Sequence, residues 1–214
     1  MNVVPFRSER DIAAAIPAVA AHLRQGGLLA HPTETVYGLG SRPEAKQLQA
    51  LAELKTRNPE KPLILLVSGR EMAEELGLAF NEAAAALAAA FWPGPLTLVL
   101  PATGSKLPVE LRGTEGGIAV RWTSHAGMER LIQEVGHPIT STSANRSGRP
   151  PAVDISALQR DFGKVPKLLA LDGGALGKAV PSTVLDCTAP APRLIREGAI
   201  PRADLPASGG AVTR

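Results

Sequence analysis

The sequence predicts an α/β protein built on one sheet of mixed strand direction. Two observations carry this. Apolar runs of four or five residues alternate with segments of helical spacing along most of the chain. Near the C-terminus the runs crowd together with few helices between them. Interleaving favours parallel neighbours and crowding favours antiparallel ones, so both together give a mixed sheet with flanking helices. A third observation is the lack of any repeat or linker-like stretch in 214 residues. It predicts a single domain over residues 1–206, with 207–214 as a disordered tail.

Ser8 reads as a helix N-cap with Asp11 as its capping-box partner. The helix runs through Ile12, Ile16, Val19 and Leu23 and stops at Gly26-Gly27, with a kink expected at Pro17. Residues 28–30 form a short buried strand, and 31–40 a loop containing Gly and Thr. A helix over about 44–54 leads into a cation-bearing loop and then a strand at 63–67. Helices follow at 70–76 and 81–91, the second rich in alanine and capped by Asn81. Pro93-Gly94-Pro95 ends that pattern. Strands fit Leu96–Leu100 and Ile118–Trp122, and a helix at 125–135 ends at Gly136. A strand at 139–142 enters a polar loop, 143–151. A helix at Ile155–Phe162 precedes three short strands at 168–171, 183–185 and 193–195.

Composition narrows the function classes. Aromatic residues make up only 3% of the chain, so the core must come from Leu, Val, Ile and Ala. The same scarcity argues against a surface that stacks single-stranded bases. Lys and Arg number 23 against 20 Asp and Glu, a net charge of +3. That excess is too small to make a case for nucleic acid and suits an anionic small molecule equally well. Cys187 is the only cysteine, so no intrachain disulfide can form and a cytoplasmic setting is expected. It reads as a small core residue near a strand end. No signal-peptide-like or membrane-spanning apolar run is present.

Several nucleotide and metal signals fail on inspection. Gly38-Leu39-Gly40 begins a dinucleotide fingerprint, but residue 43 is Pro. Gly173-Gly174-Ala175-Leu176-Gly177-Lys178 looks like a phosphate loop, yet Ala179 stands where a magnesium-binding hydroxyl is needed. The four histidines have no metal-ligand spacing, and no nucleophile elbow is present.

Other segments fit an anion site. Lys55, Arg57 and Lys61 fall within seven residues where a helix gives way to a strand. Alone they read first as solvated cations at a helix C-terminus. Pro32-Thr33-Glu34-Thr35-Val36-Tyr37-Gly38-Leu39-Gly40 sends two hydroxyls and a carboxylate off a strand end, or else forms a capped turn. Ser141-Thr142-Ser143-Ala144-Asn145-Arg146-Ser147-Gly148 offers short donors suited to phosphate oxygens, or else caps a helix. Pro181-Ser182-Thr183-Val184 repeats the pattern. Arg121 and Arg196 each lie near the end of an apolar strand and could converge on one anion.

Taken in order, these segments resemble the YrdC-like threonylcarbamoyl-AMP synthases, in their short single-domain form. The match spans about residues 13–198. It rests on the 32–40 motif, the Lys-x-Arg pair at Lys55 and Arg57, and Trp92-Pro93-Gly94-Pro95-Leu96-Thr97. It rests further on Ala119-Val120-Arg121, Ser143-Ala144-Asn145, Pro181-Ser182-Thr183-Val184, and Leu194-Ile195-Arg196-Glu197-Gly198. The resemblance implies a twisted sheet bearing a large concave basic cavity. It implies an enzyme, a nucleotidyltransferase. Such an enzyme converts L-threonine, bicarbonate or CO2, and ATP to threonylcarbamoyl-AMP and pyrophosphate. That product feeds threonylcarbamoyladenosine formation in tRNA through separate transferase proteins. By position, Thr35, Arg121, Ser141 and Ser182 would surround threonine. Lys55 and Arg57 would carry the chemistry. Arg57, Lys61, Ser143, Asn145 and Arg196 would hold the nucleotide, with Mg2+ bound as part of ATP.

Many members carry His where Leu66 stands, so one threonine contact is expected to be weaker. The chain ends soon after the core fold, so closure over the substrates is expected from its own loops or a partner. Two other readings compete. A double-stranded RNA-binding module of the same fold is opposed by the small net charge, and it would bring only weak RNA binding here. A hydrogenase-maturation carbamoyltransferase would need zinc-finger and acylphosphatase regions, and this chain has one cysteine and no spare length.

Overall fold

The capping box at Ser8 forms. Asp11 N donates to Ser8 Oγ at 3.2 Å and Ser8 N to Asp11 Oδ2 at 3.1 Å. The helix behind it, α1 (Glu9–Arg24), includes Pro17 as one 16-residue element. The computed structural model describes residues 1–55, 63–113, 115–146, 148–177 and 180–205. Ahead of α1 lies β1 (Asn2–Pro5), which sequence reading did not anticipate. After it come β2 (Leu28–His31), β3 (Gly38–Gly40), α2 (Ala45–Lys55) and β4 (Ile64–Val67). Next are α3 (Arg70–Glu75), α4 (Glu82–Phe91), β5 (Leu96–Leu100) and β6 (Ile118–Trp122). The series ends with α5 (Ala126–Val135), β7 (Ile139–Ser143), α6 (Ile155–Phe162), β8 (Leu168–Asp172), β9 (Thr183–Asp186) and β10 (Arg193–Arg196). His125, expected inside α5, instead caps it: its Nδ1 accepts from Met128 N at 3.3 Å.

The strands form one ten-stranded sheet in the order β1-β8-β2-β3-β7-β4-β6-β5-β9-β10. Pairs such as β4·β6 and β5·β9 are parallel, while β3·β7, β4·β7 and β5·β6 are antiparallel. The sheet is therefore mixed, as the spacing of the apolar runs predicts. The loop expected at 31–40 contains β3, a strand with two glycines. Its position between β2 and β7 explains them: a Cβ on Gly40 would lie 1.9 Å from the Thr140 carbonyl oxygen. Only glycine lets the backbones approach so closely.

Alternation along the strands divides the core between two faces. Leu65, Val67, Leu98 and Val120 enter the larger cluster, with Leu48 and Leu51 of α2, Leu87 of α4 and Leu158 of α6. Leu66, Ile139 and Leu29 enter the smaller one, against Ile16 and Val19 of α1 and Leu131 and Ile132 of α5. Those two helices pack on each other and on β1, β2 and β4. They cover part of that face, and the rest is open. Leu66 is 1% exposed beneath them. It is the neighbouring Ile64, one step back on the same face, that lines the open part. Leu66 itself is not part of that open lining.

Cys187 is buried just past β9, and burial pushes its thiol up to about 12. It behaves as a core residue and not as a nucleophile. Among the described residues, no helix is long and apolar enough to cross a membrane.

Candidate active site

The open part of the sheet face is a cleft of about 750 Å³, the solvent at its mouth included. Six side chains singled out from the sequence line it: Thr35, Arg121, Ser141, Ser143, Ser182 and Arg196. They come from the β2–β3 connection, β6, β7, the start of β9 and β10. Register explains how they meet. Ser141 on β7 sits opposite Ile64 on β4, and Arg121 on β6 sits opposite Leu66 two residues along. On β10, Arg196 lies across from Val184. Thr33, Val36, Gly38, Ile64, Thr142 and Pro181 make up the rest of this lining.

Arg121 is 4% exposed. Its Nη2 lies 2.7 Å from Glu34 Oε2, and both Nη atoms donate to Thr35 Oγ1 at 3.2 Å. Thr123 donates a short hydrogen bond to the same Glu34 oxygen. Burial pulls the Arg121 pKa down, opposed by the Glu34 charge. Arg196 shifts the same way, first through burial and then through repulsion by Arg121. Two guanidinium groups that repel across one cleft form a site that an anion relieves.

Arg196 is tied in place by Ser182. Nε and Nη2 donate to the Ser182 carbonyl at 3.2 and 2.7 Å, and Nη2 to its Oγ at 3.2 Å. Ser182 Oγ also bonds Thr97 Oγ1 at 2.8 Å. The Thr-rich turn before β3 is both a capped turn and a lining element. Thr33 Oγ1 donates to Val36 O at 2.7 Å and accepts from the backbone N of Thr35 and Val36 at 3.2 Å. The two alternatives for this motif were therefore never exclusive.

Lys55 ends α2 and is 9% exposed. Its Nζ donates to Ser143 O at 2.5 Å and to Asn145 Oδ1 at 3.1 Å. Ser143 Oγ donates to the same Asn145 oxygen at 2.7 Å, and Asn145 Nδ2 to Arg149 O at 2.6 Å. Lys55 and Asn145 do not themselves line the cleft; they hold Ser143, which does. Arg57 and Lys61 lie outside the described residues.

Sequence reading noted Glu34 and Thr97 within motifs but gave neither a place in the site. It did not single out His31. That imidazole is fully buried, which pushes its pKa down to about 4. Its Nδ1 faces Pro32 O at 3.4 Å. The ring and the Ser141 hydroxyl flank Gly38, where a Cβ would come within 2.6 Å of each. An unfolded chain takes up a proton at the ordinary value of 6.5, while the folded one resists until about 4. Stability should therefore fall as pH drops from about 6.5 toward 4, then level off. His31→Leu is expected to flatten that slope, as read from urea midpoints at about pH 7 and about pH 5.

Comparisons with known proteins bear on this arrangement. The Sua5/YciO/YrdC family model, described as telomere recombination, matches residues 21–198. A threonylcarbamoyl-AMP synthase of Pyrococcus abyssi is 39% identical over 188 residues, 87% of this chain and 54% of that protein. One of Chromohalobacter salexigens is 41% identical over 170 residues, 79% of this chain and 90% of that protein. The crystal structure of P. abyssi Sua5 complexed with L-threonine superposes with a TM-score of 0.87 at 35% identity. That superposition covers 100% of this chain and 62% of that one. Escherichia coli YciO, 22% identical, shares the fold at a TM-score of 0.84 over 96% of this chain and 98% of its own. The chain thus spans about half the length of the P. abyssi relative and most of the Chromohalobacter one. With the match over residues 21–198 and this level of identity, the chain belongs to the Sua5/YciO/YrdC family.

Proposed function

We infer that the chain is an L-threonylcarbamoyladenylate synthase, joining L-threonine, bicarbonate or CO2, and ATP into threonylcarbamoyl-AMP with release of pyrophosphate. The observation that carries this reading is the convergence of Thr35, Arg121, Ser141, Ser143, Ser182 and Arg196 on one cleft. The names of its relatives, and the threonine complex of P. abyssi Sua5, support it.

Threonine's amine adds to CO2 to give a carbamate. A carbamate oxygen attacks the α-phosphorus of ATP and pyrophosphate leaves. Several anions must meet, and fixed cations offset their repulsion. In this reading Arg121 takes the threonine carboxylate, with Thr35, Ser141 and Ser182 as hydroxyl partners. Arg196 and Ser143 face the nucleotide, Asn145 holds Ser143 in place, and Arg57 and Lys61 are assigned to the nucleotide on the family resemblance alone. Lys55 and Arg57 neutralise charge growing on the leaving group. The carbamate is unstable in water, so a cleft that limits solvent also protects it.

Among the described residues, no group of three or more His, Cys, Asp or Glu side chains stands together. Magnesium is assigned to the substrate ATP, as its counter-ion. The product passes to the separate proteins that transfer the threonylcarbamoyl group to tRNA, and the cytoplasm is the setting this requires. The names of the relatives and the threonine complex do not favour the RNA-binding alternative.

The test is pyrophosphate release with bicarbonate and ATP, in the presence of threonine, serine or no amino acid. Strict dependence on threonine is the expected result. Arg57→Ala should keep the fold and lose this release; near-normal turnover would remove Arg57 from the chemistry.

A further inference from the structure

We propose that Ile64 selects threonine over serine by packing against the methyl group on the substrate's β-carbon. This rests on the reading above that the cleft takes threonine. Three neighbouring strands, β7, β4 and β6, contribute to the cleft. Their lining residues are Ser141, Thr142 and Ser143 on β7, Ile64 on β4 and Arg121 on β6. Ile64 is the only all-carbon side chain among them. The other apolar lining residues, Val36 and Pro181, lie on connections and not on these strands. Ile64 is also the one residue of β4 that is only half-buried, whereas Leu65, Leu66 and Val67 are buried.

Register puts a hydroxyl and a hydrocarbon side by side. Ile64 and Ser141 are directly opposed across the β4·β7 pair, so both point to the same face. Side chains in such a pair stand about 5 Å apart at Cβ. Arg121 stands on the other flank of β4, opposite Leu66 and so two residues along from Ile64. The β-carbon of threonine carries a hydroxyl and a methyl group, the same two chemistries that the opposed pair presents. With the carboxylate on Arg121 and the hydroxyl on Ser141, the methyl group falls to Ile64, which lies on the strand between them.

Burial supplies the preference. A hydrocarbon set among hydroxyls and a guanidinium gains when an apolar group covers it, because both surfaces then leave water. Serine brings the hydroxyl without the methyl group and leaves Ile64 uncovered. One missing methyl group in an apolar contact corresponds to about tenfold or more in affinity. Serine is the smaller ligand, so no clash could reject it. A contact that only threonine makes is the remaining means of telling the two apart.

The test is calorimetric binding of three L-amino acids: threonine, serine, which keeps the hydroxyl alone, and 2-aminobutyrate, which keeps the methyl group alone. The wild-type protein should bind threonine about tenfold or more tighter than serine. Ile64→Ala should weaken threonine and 2-aminobutyrate alike, by about fivefold or more, and change serine by less than about twofold. Equal weakening of all three would mean that Ile64 only supports the strand, and would overturn the proposal. Unchanged threonine binding in the variant would overturn it as well. If Ile64→Ala does not fold, Ile64→Val decides. It keeps the branched β-carbon, and the same ranking is expected with a loss of about twofold to threefold for the two methyl-bearing ligands; an equal loss for all three refutes the role of Ile64. Equal affinity of the wild-type protein for threonine and serine refutes it too, while leaving an amino-acid site. A wild-type protein that binds none of the three brings down the functional reading itself.

Discussion

Arg121→Met is expected to abolish threonine-dependent pyrophosphate release and also to destabilise the fold. The two losses have different origins. Release is lost because a methionine offers no donor to a substrate carboxylate. A charge-assisted contact of that kind corresponds to about a hundredfold or more in kcat/KM. Stability is lost because Glu34 Oε2 keeps only its Thr123 partner once the 2.7 Å ion pair is gone. Breaking a buried pair from one side costs about 3–5 kcal/mol, and the 19% exposure of Glu34 puts this case near about 3 kcal/mol. The double variant Glu34→Gln with Arg121→Met should recover most of the stability, since no unpaired charge remains, and none of the activity. Urea unfolding and the pyrophosphate assay, run on the three variants, separate the effects. Retention of the wild-type KM for threonine by Arg121→Met would contradict the placement of the carboxylate.

Lys55→Met is expected to act on the nucleotide half of the reaction alone. Lys55 holds the Ser143–Asn145 turn through two carbonyl-type oxygens, at 2.5 and 3.1 Å. Removing the cation frees that turn and removes positive charge next to the Ser143 hydroxyl, which the proposed function assigns to the phosphates. By comparison with the loss of one preorganised charge-stabilising donor elsewhere, turnover should fall by about 10² to 10³. Threonine binding in the absence of ATP should stay within about threefold of wild type, because Arg121, Thr35 and Ser182 are untouched. Calorimetry with threonine and steady-state kinetics over ATP concentration check the two halves. Parallel loss of threonine affinity would show that Lys55 supports the whole cleft and not its nucleotide side.

The elements with strong local signals were legible in the sequence. The capping box at Ser8, the Asn81 cap and the apolar runs at Leu96–Leu100 and Ile118–Trp122 all stand where local rules put them. Two strands did not. β1 carries no local mark because its pairing with β8 joins residues more than 160 positions apart. β3 reads as a loop because two of its three residues are glycine, and only the crowding against Thr140 explains why they are there. The site divides in the same way. Hydroxyls and cations could be picked out by type and motif, since anion binding needs those groups. The pairing of Glu34 with Arg121, and that of Thr97 with Ser182, depends on which strands become neighbours. No spacing within either segment reports that.

The order of strands in the sheet has a kinetic and thermodynamic consequence. Thr35, Arg121, Ser141, Ser182 and Arg196 reach the cleft from strands or connections spread over most of the chain. No contiguous segment holds a usable fraction of them. Binding competence therefore arises only at the last stage of chain collapse, after long loops have closed, and such topologies fold slowly. The converse holds once the protein is formed. A ligand in the cleft has no affinity for any partly unfolded species that has lost either flank of the sheet. Its binding energy is therefore drawn against global opening, by about 2.7 kcal/mol at a hundred times its Kd. Substrate supply would then govern how long the chain survives proteolysis as well as how fast it turns over.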